Sequence, residues 1–227
     1  MPDAAGSALS GSSPDGSPAE APQSILSHLV DAANLLTLCG LASSLVAMLL
    51  AQRGEYAGAA IALVAAFVFD VVDGPVAARA KGRDRDQSAF GANLDSLADM
   101  VSAGVALGVV VLAYGHLQVA YLPVAIAIGA AAALRLSYFN VHGLDPDSGS
   151  YTGLPTDLAI LGFVALMLLD GPLDLEAFRI VLSAGTVALA ALMVSPLQIP
   201  KLTGRSYLAV IAIGLALAAL HATRLGG

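Results

Sequence analysis

Seven apolar runs, each near the roughly 20 residues that a helix needs to cross a bilayer, occupy most of this chain. They fall at about Asn34–Ala51, Ala57–Ala78, Ala92–Tyr114, Val119–Val141, Leu154–Leu169, Ala177–Val194 and Tyr207–Ala222. Hydrocarbon offers no partner to a backbone N–H or C=O, so a spanning run of this length closes its hydrogen bonds within itself as a helix. Runs of this length favour helices. The composition agrees: 57% of the 227 residues are hydrophobic, 12% are charged, Trp is absent and the mean hydropathy is +0.80. A soluble domain of this length needs more polar surface. The sequence predicts an all-α integral membrane protein, a bundle of six to seven transmembrane helices over residues 34–222.

Residues 1–22 are almost all Ser, Pro, Gly, Ala and acid, without Lys or Arg, which predicts a disordered tail and not a signal peptide with a basic start. In residues 23–33, Ile25, Leu26, Leu29 and Val30 recur at helical spacing, as expected for an interfacial amphipathic helix or a plain extension of the first span. Cys39 is alone and inside the first run, so no intramolecular disulfide is possible. With a cytoplasmic N-terminus, Arg79, Lys81, Arg83, Arg85, Arg135, Lys201 and Arg205 lie on the cytoplasmic side, seven of the ten basic residues. That distribution obeys the positive-inside rule.

Two of the runs carry carboxylates where a membrane protein tolerates them least. Asp70 and Asp73 lie near the end of the second run, and Asp95 and Asp99 near the start of the third. Spacings of three and four put each pair on one helix face. At 1.5 Å per residue, Asp70 is roughly 20 Å from the outer end of its span, and Asp95 and Asp99 lie about 5–10 Å in from the cytoplasmic start of theirs. All four can meet in the cytoplasmic leaflet. Together they would repel one another unless multivalent cations sit between them. Oxygen-only ligands suit Mg2+, Mn2+ or Ca2+, and a pair of such ions clamps phosphoryl groups. Gly74 follows Asp73, and Gly91, Asp95 and Asp99 form a row at i, i+4 and i+8, leaving clearance for a diphosphate.

The pattern Asp70-x-x-Asp73-Gly74 followed by Gly91-x-x-x-Asp95-x-x-x-Asp99 resembles the signature of the CDP-alcohol phosphatidyltransferases. Members of that family transfer a phosphatidyl-type group from a CDP-linked lipid to an alcohol and release CMP. The likeness runs from about Ala33 to Lys201. It implies that Asp70, Asp73 and Asp95 bind two divalent cations, Mg2+ or Mn2+, and that Asp99 both contacts metal and acts as general base. It further implies that Asn34, Thr37, Asp70, Gly74, Ala77, Arg79 and Gly91 hold the CDP-diacylglycerol donor. A homodimer in a bacterial or archaeal cell membrane, with its active site cytoplasmic and no nucleic-acid partner, completes the expectation. The chain departs from the pattern at Ala78, where the family has Arg; Arg79 comes one place late, and the stretch from Arg79 to Phe90 is four residues longer than usual.

The stretch LDSLADMVSAG resembles the phosphatidylserine synthase branch, as do RLSYFN at Arg135–Asn140, GLP at Gly153–Pro155 and LMVSPLQIPK at Leu192–Lys201. Arg135 and Asn140 are the expected acceptor residues, although an arginine at a helix end also reaches the interface for its own sake. Phosphorylated acceptors such as glycerol phosphate or inositol phosphate would call for more basic residues. Asp84 and Asp86, alternating with Arg83 and Arg85, read as a solvated charge cluster. Gly104-x-x-x-Gly108 reads as close helix packing. A cation transporter is the rival reading, but such proteins often show paired repeats and broken helices at mid-membrane, and no repeat is present here.

Overall fold

The computed structural model describes Leu26 and residues 31–80, 84–201 and 203–225. The expected tail, residues 1–22, lies outside the described residues, as does most of the expected interfacial helix over 23–33. Of that segment, Asp31 caps the first helix, accepting the Ala33 N–H at 2.9 Å, and Ala32 and Ala33 form its first turn. Helix α1 spans Ala32–Gln52. Its serines satisfy their hydroxyls on their own helix, Ser43 on the Cys39 carbonyl at 2.9 Å and Ser44 on that of Gly40 at 3.2 Å. Gly54, at φ 79°, makes the tight return into α2, Tyr56–Arg79.

Helix α3, Arg85–Asp99, starts with a reciprocal cap: Gln87 N–H donates to Asp84 Oδ1 at 2.7 Å, and Asp84 N–H donates to Gln87 Oε1 at 3.2 Å. Asp84 is exposed, as a solvated charge should be, and also starts this helix. The helix continues through a wider π-type stretch, Met100–Ala106, into α4, Leu107–Tyr114, so that one 30-residue span runs from Arg85 to Tyr114. A single 3₁₀ turn then leads into α5, Leu122–His142. A Cβ on Gly108 would stand 3.3 Å from the Ala125 carbonyl oxygen and one on Gly104 3.1 Å from Ala132 Cβ, so both glycines let α5 pack against this span.

Strand β1 (Ser150–Thr152) precedes α6 (Thr156–Met167); α7 (Leu175–Met193), strand β2 (Gln198–Pro200) and α8 (Arg205–Ala222) follow. The two strands pair antiparallel with Tyr151 opposite Ile199, a small ribbon in an otherwise helical fold. Gly153, at φ 76°, lies against the Met193 carbonyl, an approach that admits no Cβ, and its N–H donates to Leu197 at 2.8 Å.

Six helices among the described residues are long and apolar enough to cross a membrane. The fifth expected span is the exception. Its helix has 12 residues instead of the run Leu154–Leu169, about 18 Å of rise against a core of about 30 Å. The reason lies at its start: the backbone of Gly153 and Leu154 is tied to Leu197 and Leu192 at 2.8 and 2.9 Å, and α6 begins beside Asp99. The interior holds Phe67, Phe163, Phe178, Leu107 and Met167, all fully buried, whereas Leu45, Leu49, Ile180 and Leu208 face outward, as lipid-facing positions should. At the end opposite the aspartates, Tyr114 stacks on Tyr56 and donates to Asp170 at 2.9 Å, and Arg179 Nε donates to the Tyr114 carbonyl at 2.7 Å.

Candidate active site

Helices α2 and α3 carry the four aspartates on facing sides, each pair about one turn apart. The structure brings them together. Carboxylate oxygens of Asp70, Asp73 and Asp95 lie within 4.8 Å of one another, and so do those of Asp70, Asp99 and Asp157. Asp70 belongs to both groups. Every donor is a carboxylate oxygen, which fits hard divalent cations. Gly74 faces open space, since a Cβ there would have no atom within 4 Å among the described residues.

Two neighbouring hydroxyls fix the carboxylates. Thr37 of α1 donates to Asp73, which is buried, and Thr156 of α6 donates to Asp99 Oδ2 at 2.9 Å. Thr156 is also buried. Such outer hydrogen bonds set the orientation of a ligating carboxylate. Met100–Ala106, the π-type stretch, starts directly after Asp99; π-type turns occur often at functional sites. There Ser102 meets Ser44 of α1 at 2.7 Å, which ties this irregular stretch to the first helix.

Two of the four aspartates, Asp73 and Asp95, border two cavities at once. The larger, about 640 Å³, is lined by Asp70, Asp99, Arg135, Tyr151, Asp157 and Lys201 among others. The smaller, about 230 Å³, is lined by Asn34, Thr37, Ala77, Ser88 and Gly91. Asp73, Gly74 and Asp95 belong to both. Asn34, Thr37, Gly74, Ala77 and Gly91, expected at the donor, thus come together on one side. Arg79 does not join them: it is exposed on the last turn of α2 and lines neither cavity, while Ala78 lines the larger one.

The two expected acceptor residues separate. Arg135 is buried, with its guanidinium carbon 5.2 Å from the Phe139 ring centre and 5.6 Å from that of Tyr151. Its Nε has no hydrogen-bond partner among the described residues. Asn140 instead exchanges hydrogen bonds with Ser96 at 3.0 and 3.1 Å on an exposed face and lines neither cavity. Burial raises the Tyr151 phenol above its usual pKa; Asp157 adds to the rise and Arg135 opposes it, so the ring lies within the field of both charges.

Thr156 and Asp157 are the site residues that the sequence reading missed. An acid in the first turn of a helix after Pro is an ordinary complement to the helix dipole, so the local pattern gave them no distinction. The resemblance to GLP at Gly153–Pro155 stopped one residue short of them.

The family model of CDP-alcohol phosphatidyltransferases matches residues 30–218. Among curated relatives, the archaetidylserine synthase of Methanothermobacter thermautotrophicus is 31% identical over 175 residues, covering 75% of this chain and 70% of that protein. A CDP-diacylglycerol–serine O-phosphatidyltransferase of Helicobacter pylori is 29% identical over 175 residues, or 74% of this chain and 71% of the relative. The enzyme of that name in Methanocaldococcus jannaschii is 31% identical over 151 residues, 66% and 68% of the two chains. Membrane helices, paired carboxylates and a match over most of the length converge, and this chain belongs to the CDP-alcohol phosphatidyltransferase family.

Proposed function

We propose that the protein transfers the phosphatidyl group of CDP-diacylglycerol, or of a CDP-linked lipid like it, to the hydroxyl of L-serine. The carrying observation is the shared carboxylate wall: Asp73, Gly74 and Asp95 border both a small groove and a larger cavity that holds a buried arginine. In this reading Asn34, Thr37, Ala77 and Gly91 receive the nucleotide end of the donor, and the acceptor enters beside Arg135. The serine oxygen attacks the lipid-linked phosphorus, its proton passes to Asp99, and the bond to the departing CMP breaks. Thr156 holds Asp99 at the angle that this transfer requires. Two divalent cations, Mg2+ or Mn2+, bound among Asp70, Asp73, Asp95 and Asp99 would offset the carboxylates and draw charge from the diphosphate.

Serine is favoured over phosphorylated alcohols by charge and by likeness. The cations lining the larger cavity are Arg135 and Lys201, a modest complement for a phosphate of nearly two negative charges, whereas one guanidinium matches one carboxylate. The serine-specific names of the relatives point the same way. By sequence, seven of the ten basic residues fall on the side of the membrane that the positive-inside rule makes cytoplasmic, which supports a cytoplasmic active site. The working unit in this reading is a homodimer in the cell membrane, as the family resemblance implies.

The test uses purified protein with CDP-diacylglycerol, Mg2+ or Mn2+, and serine, glycerol phosphate or inositol phosphate in turn, with CMP and lipid product both measured. Serine-dependent release of CMP, abolished by EDTA and restored by added metal, is the expected result. Release with a phosphorylated acceptor and not with serine would overturn the choice of acceptor.

A further inference from the structure

The proposed transfer leaves Asp157 without a task. It is a fifth carboxylate beside four, and two divalent cations already match the charge of Asp70, Asp73, Asp95 and Asp99. Asp157 adds one negative charge to that group. It lines the larger cavity and not the donor groove, a distribution it shares with Asp99 and Arg135. Thr156 sits between two of these acids, its hydroxyl 2.9 Å from Asp99 and 3.4 Å from Asp157.

Arg135 supplies an independent observation. It is 93% buried, being 7% exposed, lines the same cavity, and keeps a buried Nε without a hydrogen-bond partner among the described residues. A desolvated guanidinium donor of this kind requires an anionic or carbonyl acceptor. The cavity therefore offers a cationic recognition group, an anionic one and a base. An α-amino acid that carries a hydroxyl presents the complementary set: a carboxylate and an ammonium on one carbon, and the reacting oxygen on the next.

We propose that Asp157 binds the α-ammonium group of the acceptor while Arg135 binds its carboxylate, so that the pair selects a zwitterionic amino acid and turns its hydroxyl towards Asp99. This rests on serine being the acceptor and assigns the residue that distinguishes serine from alcohols lacking an amine. Asp157 is a binding residue here and takes no part in the proton transfer. A role as metal ligand is the competing use of the same carboxylate.

The test compares the full-length protein with Asp157→Asn and Asp157→Ser. CMP release is measured with CDP-diacylglycerol and either L-serine or 3-hydroxypropionate, which has the carboxylate and hydroxyl without the amine, and Mn2+ affinity is measured separately by calorimetry. Loss of a hydrogen bond between charged groups predicts that KM for serine rises by about 10–100-fold, with kcat and Mn2+ affinity little changed and the preference for serine over 3-hydroxypropionate largely lost. Unchanged KM and preference in both variants would overturn the assignment. A fall in Mn2+ affinity with KM for serine unmoved would overturn it too, and would make Asp157 a metal ligand. If the wild-type protein turns over another alcohol and not serine, the acceptor reading fails and this inference falls with it. Retained Mn2+ and donor binding in either variant shows that it is folded.

Discussion

The hydroxyl of Thr37 on α1 donates to the carboxylate of Asp73 on α2, a bond between buried groups that span 36 positions of sequence. Thr37 is expected at the nucleotide from the sequence; in the structure it lines the smaller cavity and also fixes an aspartate of the shared wall. Thr37→Val keeps the shape and removes the donor. Metal affinity is expected to fall by about 10–100-fold, as for other outer partners of ligating groups, with calorimetry on Mn2+ as the measurement.

Asp99 and Asp73 should separate by phenotype. Asp99→Asn keeps an oxygen near the metals and removes the proton acceptor, so turnover should fall by ~10²–10⁴-fold while metal and donor still bind. Asp73→Asn should impair metal and donor binding first. Calorimetry for binding and CMP release for turnover distinguish the two, and near-normal turnover in Asp99→Asn would remove it as the base.

Ala78 faces the larger cavity and Arg79 lies outside both, so the two positions should respond unequally. Ala78→Arg places a guanidinium at the cavity wall and is expected to tighten CDP-diacylglycerol binding by about tenfold, the worth of one charge-assisted hydrogen bond. Arg79→Ala should change donor affinity by less than about twofold, as is usual for an exposed surface charge. Titration of the donor analogue CDP into each variant checks both.

The turn between α5 and β1 is expected to be acid-sensitive. Asp145 Oδ1 accepts the N–H of Ser148 at 2.8 Å, its hydroxyl at 2.8 Å and the Asp147 N–H at 3.1 Å, and these bonds, the Ser148 backbone foremost, hold the carboxyl below its usual pKa. A depressed value in the folded state means that the turn's support is fully present above the ordinary Asp pKa of about 3.9 and is lost as pH falls through the lowered value. Protection of the Ser148 and Asp147 amides from hydrogen exchange should therefore be constant from neutral pH down to about 4.5 and decline below the ordinary value. Asp145→Ala should abolish both the protection and its pH dependence.

The sequence alone determined the solvent and the faces that carry the carboxylates. Apolar runs of bilayer length leave a backbone only the helix, and Asp70, Asp73, Asp95 and Asp99 share faces because helical periodicity fixes neighbours three and four apart. These are local consequences of the chain. The tertiary structure decided what stands opposite. Thr156 reaches Asp99 from 57 residues away because α6 starts inside the bundle, anchored by the backbone bonds of Gly153 and Leu154, and Asp157 arrives with it. Asn140, five residues from Arg135, turns to Ser96 while Arg135 turns to the cavity, a separation of about 140° that five steps of a helix impose. Which of those faces meets the carboxylates depends on how α5 packs against the neighbouring span, at Gly104 and Gly108 among other contacts. Periodicity gives the angle between two side chains on one helix; only packing gives the direction in which that helix is turned.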